Sequence, residues 1–91
     1  MENLQKWKER ETVKDKILEI LIGIGNEGNF EKSQNLLEDE LLDSFGIIAL
    51  VGALEEEFDI DIDGGDILPE NFINIEAIVN LVTKTLESKE E

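Results

Sequence analysis

Few side chains of this sequence are suited to chemistry. Its 91 residues include no histidine and no cysteine. That excludes disulfides, thiolate metal sites and a cysteine nucleophile, and it leaves a serine nucleophile without its usual base. Two groups stand out by their positions: the hydroxyl of Ser44, which follows Asp43, and the carboxylates between Asp59 and Glu70. We therefore expect no catalytic residues and no enzyme activity of the chain itself.

The element that must position Ser44 is a helix, predicted over Ser44–Phe58. Its apolar residues recur at intervals of three and four, as in an amphipathic helix. They are Ile47, Leu50, Val51, Leu54 and Phe58. Asp43 is the natural N-cap, because its carboxylate can accept from the first-turn N–H groups and lies at the positive end of the helix dipole. Ser44 then opens the helix near solvent, where an attached phosphate would meet unpaired N–H groups.

The L-L-D-S-F-G stretch and the A-L-E-E-E-F-D that closes this helix resemble an acyl carrier protein, most closely the D-alanyl and other small specialised carriers. The resemblance covers roughly residues 13–86 and includes P-E-N-F at Pro69–Phe72, which is common in specialised carriers. It implies an all-α fold, a small four-helix bundle with three main helices and one short helix or turn.

For Ser44 the resemblance implies a covalent 4′-phosphopantetheine, received from coenzyme A through a magnesium-dependent phosphopantetheinyl transferase. The thiol of this group carries acyl or aminoacyl intermediates as thioesters to enzymes of fatty acid, lipid, polyketide or peptide synthesis. Partners would be the transferase and the acyl- or aminoacyl-loading and acyl-transfer enzymes. No residue chooses among these cargoes. A long acyl chain could fold into a cleft lined by Val51, Leu54, Ile62 and Ile78.

A second face of the predicted helix carries Phe45 and Ile48, which we expect to look outward near Ser44 as an apolar contact for partner enzymes. The alternative is that the surrounding helices bury both. Family members often place acids on the first two turns, whereas here acids resume only at Glu55. This difference favours hydrophobic docking with a charged rim. The predicted partner-binding residues are Asp43, Phe45, Ile48, Glu55 and Glu56.

The main alternative is a calcium site, because D-I-D-I-D-G-G-D-I-L-P-E fits the EF-hand loop pattern. The predicted ligands would be Asp59, Asp61, Asp63 and Glu70, with Gly64 at the sharp turn. Three details oppose it. Asp66 stands where such loops carry an apolar residue, the chain has no second loop, and Pro69 lies where the exiting helix should continue. We expect no dedicated metal site here.

The charge of the chain limits its partners. It has 23 acidic and 8 basic residues and a net charge of −15, and Ser33 to Thr83 contains no lysine or arginine. Such a surface repels nucleic acids and anionic membranes and speeds encounter with basic protein patches. The same charge also fits a third class, a plain acidic interaction domain in which Asp43 and Ser44 only begin a helix.

The length of 91 residues predicts one domain over residues 1–91. A hydrophobic content of 41% predicts that this domain is folded. No apolar run is long enough for a bilayer span, and M-E-N-L-Q-K-W-K-E-R at the N-terminus is unlike a signal peptide. We therefore expect a cytoplasmic monomer without membrane insertion.

The remaining elements follow from local signals. A first helix is predicted over about Thr12–Ile22, with Thr12 in a capping-box-like start after a frayed extension over residues 1–11. The alternative is an earlier start near Asn3, with Trp7 covering the core from one end. A loop over residues 26–39 follows, and loops of this length need anchors or functions. Its expected anchors are Phe30 and either Leu36 or Leu37.

The C-terminal third is predicted from its capping and breaking residues. Ile62 should enter the core from a short extended segment, and Pro69 should open a short third helix or turn with Phe72 inward. Asn74 should cap a last helix over residues 75–86, which leaves a solvated tail over residues 88–91.

Overall fold

The computed structural model describes residues 9–24 and 30–90 of the chain. These residues contain three α-helices and two short 3₁₀ turns joined by loops, and they include no β-strand. Helix α1 is Arg10–Gly23, α2 is Ser44–Phe58 and α3 is Ile75–Glu90. The 3₁₀ turns are Gly64–Asp66 and Pro69–Phe72. The all-α prediction is thus confirmed.

The core lies where the inner faces of the three helices meet. Helix α1 packs against both α2 and α3, and α3 also contacts the second 3₁₀ turn. The Cα radius of gyration is 12.4 Å, against about 12 Å expected for a folded domain of this length. The most completely buried side chains are Val13, Ile17, Leu21, Leu36, Leu50, Leu54, Phe72, Ile78 and Val82. None of the described helices has the length and apolar character needed to cross a membrane.

Helix α1 begins earlier than predicted. Glu9 occupies the N-cap position without a side-chain hydrogen bond, so the predicted capping role of Thr12 is wrong. Arg10 and Glu11, predicted to be part of the frayed extension, are helical; residues 1–8 of that extension lie outside the described residues. The physical reason is tertiary, because the Arg10 guanidinium donates to Glu76 Oε1 over 3.1 Å and to Asn80 Oδ1 over 2.8 Å on α3.

Helix α3 begins as predicted and ends later. The Ala77 N–H donates to Asn74 Oδ1 over 2.8 Å, which confirms Asn74 as the cap. The helix continues to Glu90, so the predicted tail over residues 88–90 is helical, while residue 91 lies outside the described residues. The apolar stripe does end at Leu86. No glycine or proline follows it, so nothing in the sequence stops the backbone hydrogen bonds there.

The loop between α1 and α2 is described from Phe30 onward and is anchored as predicted. Phe30 and Leu36 are buried, whereas Leu37 is only partly buried, which decides between the two leucines. The Leu36 N–H donates to the Ile73 carbonyl over 2.6 Å, and the Leu36 carbonyl accepts from the N–H groups of Leu41 and Leu42. Leu36 therefore joins the loop to the chain just before α3.

The segment between α2 and α3 also agrees with the prediction. Ile62 enters the core, and Ile60 does so as well, while the acids between and beside them remain exposed. Pro69 begins the second 3₁₀ turn, and Phe72 is fully buried. This turn packs against α3, and Ile62 and Phe72 belong to the same core as the helices.

We expect Leu36→Ala to lower the free energy of unfolding by about 2–5 kcal/mol, because it leaves a cavity where a fully buried leucine was. Leu37→Ala is the matched control and should cost clearly less, since that side chain is already partly exposed. Urea denaturation followed by circular dichroism measures both. Equal losses for the two variants would contradict the assignment of Leu36 as the anchor.

Candidate functional site

The start of α2 presents Ser44 as predicted. Asp43 has extended backbone angles, φ −123° and ψ −175°, and its Oδ1 accepts from the Gly46 N–H over 2.7 Å. The Asp43 carbonyl accepts from the Ile47 N–H over 2.8 Å. Ser44 is the first helical residue and is exposed. Asp43 is therefore the N-cap, and the Ser44 side chain is open to solvent.

The first turn of α2 keeps part of its capacity to bind an anion. Of its first four N–H groups, those of Gly46 and Ile47 are taken by Asp43. The N–H groups of Ser44 and Phe45 have no acceptor within the described residues. These two groups lie at the positive end of the helix dipole, where negative charge is stabilised. An anionic group attached to Ser44 has two backbone donors beside it.

Phe45 and Ile48 form the apolar patch, the name used below for these two side chains. Phe45 is 85% exposed and Ile48 is 69% exposed, so the alternative that neighbouring helices bury them is wrong. No acidic residue lies in the first turn of α2, and Glu56 is exposed near its end. The patch thus lies about one turn from Ser44, and apart from the capping Asp43 the carboxylates of α2 lie farther along the helix.

Glu55, predicted as part of a charged rim, also forms two hydrogen bonds within the chain. Its Oε2 accepts from the Ile62 N–H over 2.9 Å, and its backbone carbonyl accepts from the Ile60 N–H over 3.1 Å. The residue is half-buried. Glu55 therefore ties the end of α2 to the segment that carries Ile60 and Ile62 into the core. No local sequence signal marks this role, because the bond joins a side chain to a backbone group seven residues away.

The acids after α2 do not form the geometry of a calcium loop. Within residues 9–24 and 30–90, no group of three or more acidic side chains is placed to hold a metal ion. Asp63 Oδ1 accepts from the Gly65 N–H over 3.1 Å and caps the first 3₁₀ turn. Asp66 Oδ1 lies 3.5 Å from Lys84 Nζ. The sharp turn at Gly64 is thus part of a capped 3₁₀ turn.

Four of the cations, Arg10, Lys14, Lys16 and Lys84, form ion pairs with carboxylates. Lys14 Nζ lies 2.9 Å from Glu31 Oε2, and the hydrogen bond to Glu31 raises the pKa of Lys14 above its ordinary value. Lys16 Nζ lies 3.5 Å from Glu57 Oε2 at the end of α2. The span from Ser33 to Thr83 contributes no positive charge of its own. The surface around α2 is therefore dominated by carboxylates and the apolar patch.

The residues predicted to line an acyl cleft are packed inside the molecule. Leu54 and Ile78 are fully buried, and Val51 and Ile62 are at most 9% exposed. They belong to the same core as the anchors of the loops. An acyl chain could reach them only if the core elements separated.

Comparisons of the chain with protein-family models, with curated proteins and with solved structures gave no match. The functional assignment therefore rests on the residues of this chain and on the geometry at Ser44.

Glu55→Ala is expected to destabilise the protein by about 1–3 kcal/mol, because it leaves the Ile62 N–H without its acceptor. Glu56→Ala removes the same charge from an exposed neighbour and should change stability by no more than about 0.5 kcal/mol. Urea denaturation gives both values, and amide hydrogen exchange at Ile62 should accelerate in the Glu55 variant alone. Unchanged exchange at Ile62 would show that Glu55 does not hold this segment.

Proposed function

We propose that this protein is an acyl carrier protein and that the Ser44 hydroxyl is the attachment point of 4′-phosphopantetheine. The observation that carries the proposal is an exposed serine as the first residue of a capped helix. This serine lies in the D-S-F-G stretch on which the resemblance to carrier proteins rests. The all-helical fold of the described residues is compatible with that class.

The residues at the start of α2 suit the phosphate of such a group. The N–H groups of Ser44 and Phe45 can donate to its oxygens, and the helix dipole favours its negative charge. Asp43 directs one carboxylate oxygen to the Gly46 N–H, so part of its charge is compensated within the cap. When bound, the group would supply a thiol that holds an acyl or aminoacyl cargo as a thioester and carries it between biosynthetic enzymes.

The chain supplies the nucleophile of the loading step but no evident base. The Ser44 Oγ would form a bond to the phosphorus of the pantetheine phosphate as the bond from that phosphorus to the rest of coenzyme A breaks. The hydroxyl proton needs an acceptor. The chain has no histidine, and the neighbouring Asp43 carboxylate caps the helix. We assign the proton acceptor to the phosphopantetheinyl transferase.

Partner recognition is proposed to use the apolar patch. Two large apolar side chains exposed within one turn of the reacting hydroxyl suit an apolar pocket on a partner enzyme. The net charge of −15 favours partners with lysine or arginine around that pocket, mainly by speeding encounter. Glu56, which is exposed near the end of α2, is proposed as part of the charged rim, and Glu55 is proposed to combine this role with its bond to Ile62.

Ser44→Ala should abolish loading, since it removes the only oxygen that the proposal uses. The test incubates the chain with coenzyme A and a broad-specificity phosphopantetheinyl transferase and follows the intact mass. Ser88→Ala, which changes an exposed serine on α3, is the matched control and should load like the natural chain. Neither exposed substitution should change stability by more than about 0.5 kcal/mol.

Failure of the natural chain to gain a phosphopantetheine would contradict the proposal and favour a plain acidic interaction domain, in which Ser44 only begins a helix. Loading of the Ser44→Ala variant would show that another residue is the attachment point.

Ile48→Glu should lower kcat/KM for loading by about tenfold or more, the effect expected when a central apolar contact of an interface is lost. Ile22→Glu is the matched control, because Ile22 is an isoleucine on α1 with a similar exposure of 65%. Both variants add the same net charge, so a difference between them reports that position 48, beside Ser44, lies in the docking surface and position 22 does not. Equal rates for the two variants would rule out docking on the apolar patch.

A further inference from the structure

Gly46 occupies a position in the first turn of α2 that has no room for a side chain. A Cβ built there would lie 2.8 Å from Leu42 Cδ1 and 3.3 Å from Asp43 Oδ1. Leu42 is 2% exposed and belongs to the core. Its side chain is therefore held by its neighbours and cannot simply turn away into solvent. A larger residue at position 46 must displace Leu42, Asp43 or the helix start itself.

The same glycine provides the N–H on which the cap depends. Gly46 donates to Asp43 Oδ1 over 2.7 Å, and the Cβ of any other residue would lie against that same oxygen. Ser44 lies between these two residues in the chain. The space left by Gly46 therefore determines whether Asp43 can close the turn that carries the Ser44 hydroxyl.

The second glycine of α2 has a different environment. A Cβ at Gly52 would have no atom within 4 Å. Helix propensity favours alanine over glycine at both positions, so propensity alone predicts that either substitution stabilises α2. The two glycines differ in the contact with Leu42 and Asp43, and this difference makes Gly52 a matched control.

We infer that Gly46 is a positioning residue for Ser44: by keeping clear the space beside Leu42 and Asp43, it holds the first turn of α2 in the conformation that presents the Ser44 hydroxyl. The part of this inference that concerns loading rests on the proposed function. The part that concerns the cap stands on the geometry alone. Gly46 acts through Asp43 and is assigned no contact with the pantetheine group.

The test compares Gly46→Ala, Gly52→Ala, Leu42→Val and the double variant Gly46→Ala with Leu42→Val. All are assayed for loading at a temperature where circular dichroism shows them folded. Gly46→Ala should lower kcat/KM by about tenfold, which is equivalent to about 1.4 kcal/mol and is typical of a lost cap. Gly52→Ala should load like the natural chain. The double variant should regain most of the loss, because valine lacks the δ-methyl that the new Cβ would meet.

Amide measurements by NMR supply a readout that does not depend on loading. In the natural chain the Gly46 amide should exchange more slowly than the Phe45 amide, because only the Gly46 N–H has an acceptor in Asp43. Gly46→Ala should remove this protection, and the double variant should restore it. These spectra decide the role in the cap even if no version of the chain accepts pantetheine, an outcome that would contradict the proposed function alone.

The inference is overturned if Gly46→Ala loads as fast as Gly52→Ala with the amide at residue 46 still protected. Loss of loading that the double variant does not recover, with the amide at residue 46 still protected, would also contradict it, because neither the contact with Leu42 nor the loss of the cap would then be the cause. If Gly46→Ala does not fold at any temperature, the double variant decides, because relief of the contact with Leu42 should let it fold with the amide at residue 46 protected. Failure of the double variant to fold where Leu42→Val alone folds, or equal exchange of the Gly46 and Phe45 amides in the natural chain, would overturn the inference.

Discussion

The hydrogen bond from the Gly46 N–H to the Asp43 carboxylate fixes where α2 begins, and with it which residues of α2 face the core. A helix begins where a side chain satisfies the first-turn donors that have no partner inside the helix. Here that residue follows Leu42, which is buried in the core. The chain therefore passes from the interior into a helix within a single turn. Ser44, the next residue, is exposed, while the stripe from Leu50 onward returns to the core.

Burial of apolar side chains is the main source of the protein's stability, because the charges on its surface repel one another. A net charge of −15 on 91 residues opposes the compact state through repulsion. The ion pairs that link the elements, such as Arg10 with Glu76 and Lys84 with Asp66, are largely exposed, and such pairs contribute about 0–1 kcal/mol each. The side chains that offset the repulsion are the buried ones, including Leu36 from the long loop. Because apolar burial stabilises the fold, the surface carboxylates need not be neutralised within the chain. They can therefore interact with basic groups on partners.

The parts of the fold that follow from local chemistry were predictable from the sequence. The bounds of α2 agree because Asp43 gives a cap signal and the apolar period continues to Phe58. Asn74 and Pro69 are equally local signals. The start of α1 was missed because Arg10 is held by Glu76, 66 residues away in the chain. The extent of α3 was missed because the apolar stripe ends before the helix does.

The site was predictable to a similar depth. Helix periodicity predicts where α2 begins at Ser44 and which face carries the apolar patch. The residue type of Asp43 predicts the cap. Glu55 did not, because its partner is a backbone N–H in a later segment. The steric role of Gly46 did not either, since it depends on where the Leu42 side chain lies in three dimensions. Pattern reasoning places side chains on faces of an element, whereas contacts between elements require coordinates.

The geometry separates the Ser44 hydroxyl from the core, and under the proposed function this separation has a consequence for the cargo. Val51, Leu54, Ile62 and Ile78 are close-packed and nearly fully buried. Admitting an acyl chain among them would require breaking contacts that fill the interior at close to crystal density. Burying the acyl chain contributes about 25 cal/mol of favourable free energy per Å² of its apolar surface. This contribution grows with the length of the acyl chain, whereas the free-energy cost of first opening the core does not. A short or polar cargo on the proposed thiol is therefore best held outside the protein, where α2 presents it beside Phe45 and Ile48. Only a long apolar cargo could offset opening the core, and the contact between Glu55 and Ile62 is one of the bonds that opening the segment after α2 would strain.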